Sequence, residues 1–320
     1  MRKAGRFAQQ GRDSKEKMCY PDGTLTRQGE KAMLREIGTT GIQVTAIGLG
    51  AMPLSLANRP EEVQAFRVIE TFVSGGGNFI DTANVYCRDD GDIGHNERLI
   101  VRALRQLGRP TDVVVATKGG LRRPNGEWVV DGRPEFLRAS CEKSLEALET
   151  DCITLYQLHA VDPTVGLNPA LDTLIALREE GKIRHIGLSN VTLAQLRHAL
   201  SRTPIVSVQN RCNVLEKQDF RNGLVDYCRE HRITYIPHSP VGGHYGHVRL
   251  PAHPVLTRLA LKYQVSPYRI ALAWLLAKGE HILPIPGASK PSSIEDSLRA
   301  VEVPLLPEDV ATLDAIPDQR

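Results

Sequence analysis

Asp81, Tyr86, Lys118 and His159 are the residues whose types, taken together, suggest chemistry. A tyrosine phenol is a weak acid with a pKa of about 10. A lysine ammonium beside it favours the phenolate and pulls that value toward the range where proton transfer is efficient. Asp81 is suited to keep the lysine charged and oriented. His159 offers a ring donor to position a carbonyl oxygen. In Asp81-Thr-Ala-Asn-Val-Tyr86 the acid and the phenol are close enough to share one rim. The four groups make a device that delivers a proton to an oxygen becoming an alkoxide. Side chains cannot supply the hydride such a step also needs, so the chemistry implies a cofactor. Alone, each has a bland reading: Asp81 as a turn residue, Lys118 as a solvated loop cation, Tyr86 as packing, His159 as a core histidine. Only a common placement makes them a site.

The elements that would provide it alternate along the chain. Leu34 to Val44 reads as a hairpin turning near Thr40-Gly41. Eight strand-like runs follow: 45–48, 79–80, 113–116, 153–158, 185–188, 205–208, 234–237 and 282–285. Between them lie helical patterns at 61–73, 96–107, 171–180, 193–200, 220–230 and 268–276. A further helix opens at Arg133-Pro134, where proline is tolerated, and carries Leu137, Cys141, Leu145 and Leu148 on one stripe. Gly75-Gly76-Gly77 reads as a helix stop and turn. Strands alternating with helices predict a parallel sheet, closed here into a (β/α)8 barrel with the hairpin as an N-terminal cap. Barrel chemistry sits at the C-terminal strand ends. Six successive runs end on a reactive group: Asp81, Lys118, His159, Ser189-Asn190, Gln209-Asn210 and His238-Ser239.

Composition narrows the class. The 320 residues are 41% hydrophobic and 24% charged, with a net charge of +3, too mild a balance for a nucleic-acid partner. No apolar run is long enough for a membrane span, and residues 1–33 lack a signal-peptide stretch. The six scattered cysteines read as reduced thiols of a cytoplasmic protein, and the alternation along its segment points Cys87 away from Tyr86. Residues 1–32, with eight Lys/Arg against four Asp/Glu, read as a flexible polar extension, and 33–320 as one domain. His238, His244, His247 and His253 have no acidic or cysteine companion, so the stretch reads as a loop over the cofactor and not as a metal site. No G-x-G-x-x-G follows a strand, so the sequence does not support a Rossmann site.

Six segments carry a resemblance. Asp81-Thr-Ala-Asn-Val-Tyr86, Ala116-Thr-Lys118-Gly-Gly, Leu155-Tyr-Gln-Leu-His159, Gly181 to Asn190, Ser239-Pro-Val-Gly and Ile285-Pro-Gly-Ala-Ser-Lys290 resemble, in order, the motifs of the aldo-keto reductase superfamily. The likeness spans roughly residues 33–317. It implies a TIM barrel that reduces an aldehyde or ketone with NADPH, NADH being the less favoured cofactor. Tyr86 is then the general acid, His159 holds the carbonyl, and Lys118 and Asp81 tune Tyr86. The resemblance puts Ser189, Asn190 and Gln209 on the nicotinamide carboxamide and His238 in the stacking position usually held by a larger aromatic. Gly50, Met52 and Asp81 join the cofactor site, as does the loop from Ser239 through Pro240 and Val241 to Gly243 beside the pyrophosphate. Gly287, Ser289, Lys290, Ser293, Asp296 and Ser297 would meet the adenosine end, with Lys290 favouring a 2′-phosphate and Arg249 a second phosphate ligand. Ser293 replaces the usual Arg, Gln or His, and Asp296-Ser297 the usual Glu-Asn. Met52, Tyr86, Trp128 and His159 would face the substrate. With Pro53, Leu54 and Tyr245 they suggest a partly apolar pocket, left open by the short tail after Ala315. Two other readings stand on the same scaffold: a nucleotide-binding regulatory subunit of the potassium-channel β type, or a pyridoxine- or sugar-type alcohol dehydrogenase.

Overall fold

The computed structural model describes residues 26–27, 30–31, 33–109 and 111–319. The expected extension 1–32 lies almost wholly outside the described residues; within it, Thr26–Arg27 pairs antiparallel with Glu30–Lys31. The side chains of His244 and Tyr245 are likewise outside them.

Seven parallel strands form the barrel wall: β1 (Leu49–Gly50), β2 (Phe79–Asp81), β3 (Val114–Gly119), β4 (Ile153–Leu158), β5 (Ile183–Ser189), β6 (Ser207–Arg211) and β7 (Thr234–His238). They lie in sequence order, each beside the next. The eighth position is held by residues 282–287. Leu283 donates to Tyr235 O on β7, while Gly48 and Gly50 donate to the carbonyls of Pro284 and Pro286 at 3.0 Å. Pro284 and Pro286 accept from this neighbour but have no N–H to return. Half of that ladder is therefore missing, and the eighth run closes the barrel through single bridges, Gly50 with Gly287 and Tyr235 with Ile282, without a continuous strand.

The expected first strand moves forward. Thr45 pairs with Leu34 in the antiparallel hairpin Leu34–Glu36 and Gln43–Thr45, so the barrel strand begins only at Leu49. Helices cover the outside: α1 (Glu62–Ser74), α2 (His95–Gln106), α3 (Pro134–Leu148), α4 (Leu167–Glu179) and α5 (Leu193–Leu200). The last opens on a capping box, Thr192 with Gln195. The helix expected over 220–230 is broken in two, Gln218–Arg221 and Leu224–Glu230. Gly223 between them is left-handed at φ 79°, a conformation that ends the first helix.

Inward-facing side chains change character every second residue up the strands, as the pleat requires. The lower layer is apolar: Phe79, Ala116, Leu155, Ile236 and Ile285 form one buried cluster with Ile37 and Val44 of the hairpin. The hairpin thus plugs the barrel floor, and Gly38 N fastens it to Thr234 Oγ1 at 2.8 Å. One pleat higher the layer is polar: Asp81, Lys118, Gln157 and Gln209, all buried. The remaining core lies between strands and helices.

Candidate active site

Lys118, fully buried on β3, sits at the centre of the polar layer. Its Nζ donates to Asp81 Oδ2 at 2.6 Å, to the Thr82 carbonyl at 2.9 Å and to the Tyr86 hydroxyl at 3.0 Å. An ammonium has three N–H donors, so all are committed. The Tyr86 oxygen receives one of them, which directs its own O–H hydrogen elsewhere. Asp81 is held from the other side too: its Oδ1 accepts from Gln209 Nε2 at 2.7 Å and Gln157 Nε2 at 3.2 Å. The register explains the convergence, since Gln157 pairs with Lys118 across β4 and β3, and Asp81 with Ala116, one pleat below.

His159 follows β4, with its backbone N–H on the Gly119 carbonyl at 2.9 Å. Its ring meets Tyr86 edge-on at 5.8 Å, and Nδ1 is buried without a partner among the described residues. Trp128 completes the wall, 6.3 Å from Tyr86 and 6.5 Å from His159 between ring centroids. Met52 packs against the buried cluster of Ala83, Val85, Tyr86 and Leu121. Leu54 does not: it is buried in the core under α1, so it is no part of a substrate pocket. Cys87 faces away, its thiol on the Val85 carbonyl and pushed up to about 12, chiefly by burial.

The electrostatics revise one expectation. Burial pushes the Tyr86 phenol above its ordinary pKa, and the opposing pull of Lys118 does not overcome it. Burial also works against the Lys118 charge, but Asp81 and Tyr86 outweigh it and hold the ammonium above its usual value. His159 is held well below the imidazole range by burial, then by Lys118 and His238. His238, at the end of β7, falls to about 3 through burial and then the charges of Lys118 and Arg211, so it is neutral. The site therefore combines a protonated phenol, a charged lysine and two neutral imidazoles.

Around this centre the other expected residues separate into two groups. Asn190 Nδ2 bonds the His159 carbonyl at 2.9 Å and Ser189 Oγ at 3.1 Å, and its Oδ1 lies 3.4 Å from His238 Nε2. Ser239, Gly242 and Gly243 are all left-handed, a backbone type common in anion-binding concavities. Gly50 and Gly287 sit back to back across the barrel seam, where a Cβ on Gly50 would fall 2.7 Å from the Ile285 carbonyl. Gly287, Ser289, Lys290 and Ser293 are exposed at the start of the helix Pro291–Leu298. This group is open to a nucleotide.

The second group is already engaged. Arg249 pairs with Glu216 at 3.3 Å and reaches the Gln319 carbonyl, which fastens the C-terminal tail. Asp296 is held by Arg269 and Ser266, and the buried Ser297 donates back to the Ser293 carbonyl at 2.9 Å. Gln209 gives its amide to Asp81 and Gln157.

Two arginines were not read from the sequence. Arg211 ends β6 beside the Ser239–Gly243 loop, with Nη2 3.3 Å from the Gly242 carbonyl. Arg123 lies under Trp128. Their signal was position: Arg211 ends a strand that carries a site residue, and Arg123 follows one. Among the described residues no group of three or more His, Cys, Asp or Glu is placed to hold a metal ion, and no helix is long and apolar enough to cross a membrane.

Comparison with known proteins agrees with this geometry. A model of the aldo/keto reductase family matches residues 46–318. The chain is 34% identical over 312 residues to a probable aldo-keto reductase of Glycine max, covering 88% of each protein. Among solved structures it is similar to a thermostable aldo-keto reductase in complex with the inhibitor epalrestat, with TM-score 0.75 and 28% identity over 88% of this chain and 99% of the other. The holo form of an aldo-keto reductase from Bacillus halodurans matches with TM-score 0.74 and 25% identity, over 90% of this chain and 98% of that one.

Proposed function

The chain belongs to the aldo/keto reductase family, and on that premise we propose that it reduces an aldehyde or ketone to an alcohol with Tyr86 as general acid and NADPH as cofactor. Family members use nicotinamide cofactors, which supply the hydride. The observation that carries the proposal is the Lys118 ammonium bonded at once to Asp81 and to the Tyr86 hydroxyl.

The residues do the rest. Tyr86 and His159 hold the carbonyl oxygen between a phenol O–H and an imidazole, both of them neutral donors. As negative charge develops on that oxygen, the Tyr86 proton moves to it, and Lys118 stabilises the phenolate left behind. Asp81 keeps Lys118 in place for that task. Ser189 and Asn190, with His238 nearby and the side-chain oxygen of Gln209, whose N–H groups are spent on Asp81 and Gln157, would hold the nicotinamide over the same rim. Ser239, Pro240, Val241 and Gly243 would border the pyrophosphate. The exposed cation Lys290, with Ser289 and Ser293 beside it, supports a 2′-phosphate and hence NADPH over NADH.

The pH profile follows from the charge states. The reaction needs protonated Tyr86, and its pKa lies above about 10. The reduction rate is therefore flat from about pH 6 to about pH 9, with no break near the imidazole value of about 6.5 because His159 and His238 stay neutral. Alcohol oxidation needs the phenolate and climbs over the same span. A reduction rate that falls between about pH 6 and about pH 8 would contradict this assignment.

The direct test is a titration with NADPH and with NADH followed by tryptophan fluorescence, then addition of 4-nitrobenzaldehyde while the reduced nicotinamide absorbance is watched. Tighter binding of NADPH, lost in Lys290→Gln, together with decay of the absorbance is the expected result. Failure of both nucleotides to bind overturns the reading.

A further inference from the structure

Arg123 is 5% exposed, yet its guanidinium is almost unpartnered. Nε and Nη1 are buried with no hydrogen-bond partner among the described residues, and Nη2 makes one long contact, 3.5 Å to the Cys87 carbonyl. The nearby Asp90 accepts from the Arg123 backbone N–H and not from its side chain, while Asp131 is taken by Arg133. A guanidinium offers five donors in a fixed planar fork. Burying that fork with no carboxylate bonded to it is costly, so a fold that keeps it points to an acceptor that arrives from outside.

The geometry says where. Leu121–Arg122 pairs with Val129–Val130 in a short antiparallel hairpin after β3. Continued by one step, that register sets Arg123 opposite Trp128. The guanidinium stacks on the indole at 3.8 Å, and the indole in turn lines the wall with Tyr86 and His159. Trp128 is itself 46% exposed and forms the cover of the arginine on its solvent side. The Cys87 contact places the guanidinium one residue from Tyr86 along the backbone. Arg123 thus borders, through Trp128, the wall that Tyr86 and His159 form.

We propose that Arg123 binds an oxyanion group, carboxylate or phosphate, on the tail of the carbonyl substrate, with Trp128 turning aside to admit it. This names a substrate class, anionic aldehydes or ketones, and rests on the reductase reading only for the word substrate. Two parallel N–H···O bonds from a planar fork suit both oxyanions.

The test begins with binding alone. The full chain is titrated with benzoate, phenyl phosphate and benzyl alcohol, following tryptophan fluorescence and calorimetry. Benzoate or phenyl phosphate binds roughly 10–100-fold tighter than the uncharged alcohol, and Arg123→Gln removes the difference. Arg123→Lys, which keeps the charge but loses the fork, retains only part of it. Unchanged NADPH affinity in both variants shows that the fold is intact. Kinetics then give a KM for 4-carboxybenzaldehyde that rises by a similar factor in Arg123→Gln, while 4-nitrobenzaldehyde is unaffected. Equal affinity for charged and uncharged ligands in the wild type, or the same preference in Arg123→Gln, overturns the proposal. Selective oxyanion binding without turnover of any carbonyl overturns the reductase reading and leaves the Arg123 site standing.

Discussion

Tyr86→Phe binds NADPH as the unaltered protein does and loses carbonyl turnover by roughly 10²–10⁴-fold, the range expected for a positioned general acid. The substitution removes one oxygen and keeps the ring. The edge-on contacts with His159 and Trp128 persist, so the wall survives. What is lost is the one proton placed at the rim, together with one of the three acceptors of Lys118. Single-turnover rates separate this from a binding defect, because the lost interaction acts on the chemical step. Turnover close to that of the unaltered protein would show that the proton comes from elsewhere and would remove Tyr86 from the mechanism.

Lys118→Met has the larger structural effect. Lys118 is fully buried and Asp81 is 2% exposed, so removing the ammonium leaves a carboxylate buried without its counter-charge. Breaking a buried pair from one side costs about 3–5 kcal/mol. The amides of Gln157 and Gln209 still reach Oδ1 and soften this, but neither carries a charge. The Asp81→Asn/Lys118→Met pair, which removes both charges, regains most of the stability and none of the turnover. Urea denaturation of the two variants reads the first effect and steady-state kinetics the second. If Lys118→Met unfolds at the same urea concentration as the unaltered protein, the pair is not the electrostatic centre described here.

Substrate choice depends on parts of the chain that the scaffold leaves free to vary. Under the proposed function those parts are the hairpin that carries Arg123 and Trp128, together with Met52. The tail after Ala315 is fastened away through Gln319 N on the Leu215 carbonyl, and Lys217 Nζ holds the carbonyls of Leu313, Asp314 and Ile316.

The sequence by itself determined the alternation of strands and helices and the placing of a reactive group at the ends of six successive strands. Both follow from local rules: the apolar period sets the element, and the C-terminal end of a parallel strand is where a side chain escapes the sheet. Thus Asp81, Lys118, Tyr86 and His159 were legible in the sequence, as were α5 at its observed bounds and the hairpin turning near Gly41. The tertiary structure alone decided what depends on sums over distant neighbours. Whether Lys118 lowers the Tyr86 pKa is a contest between one charge and the whole desolvation of a buried phenol, and burial wins. Arg249 and Asp296 looked free until Glu216 and Arg269, distant in sequence, were brought against them. Leu54 looked like a pocket residue and went to the core, because α1 folds over it. Arg123 was one of two adjacent arginines in a loop, and only the hairpin register placed it beneath Trp128 and closed it from solvent. Charge states and partners are properties of the packed molecule, since burial and long-range contacts do not exist until the chain has closed on itself.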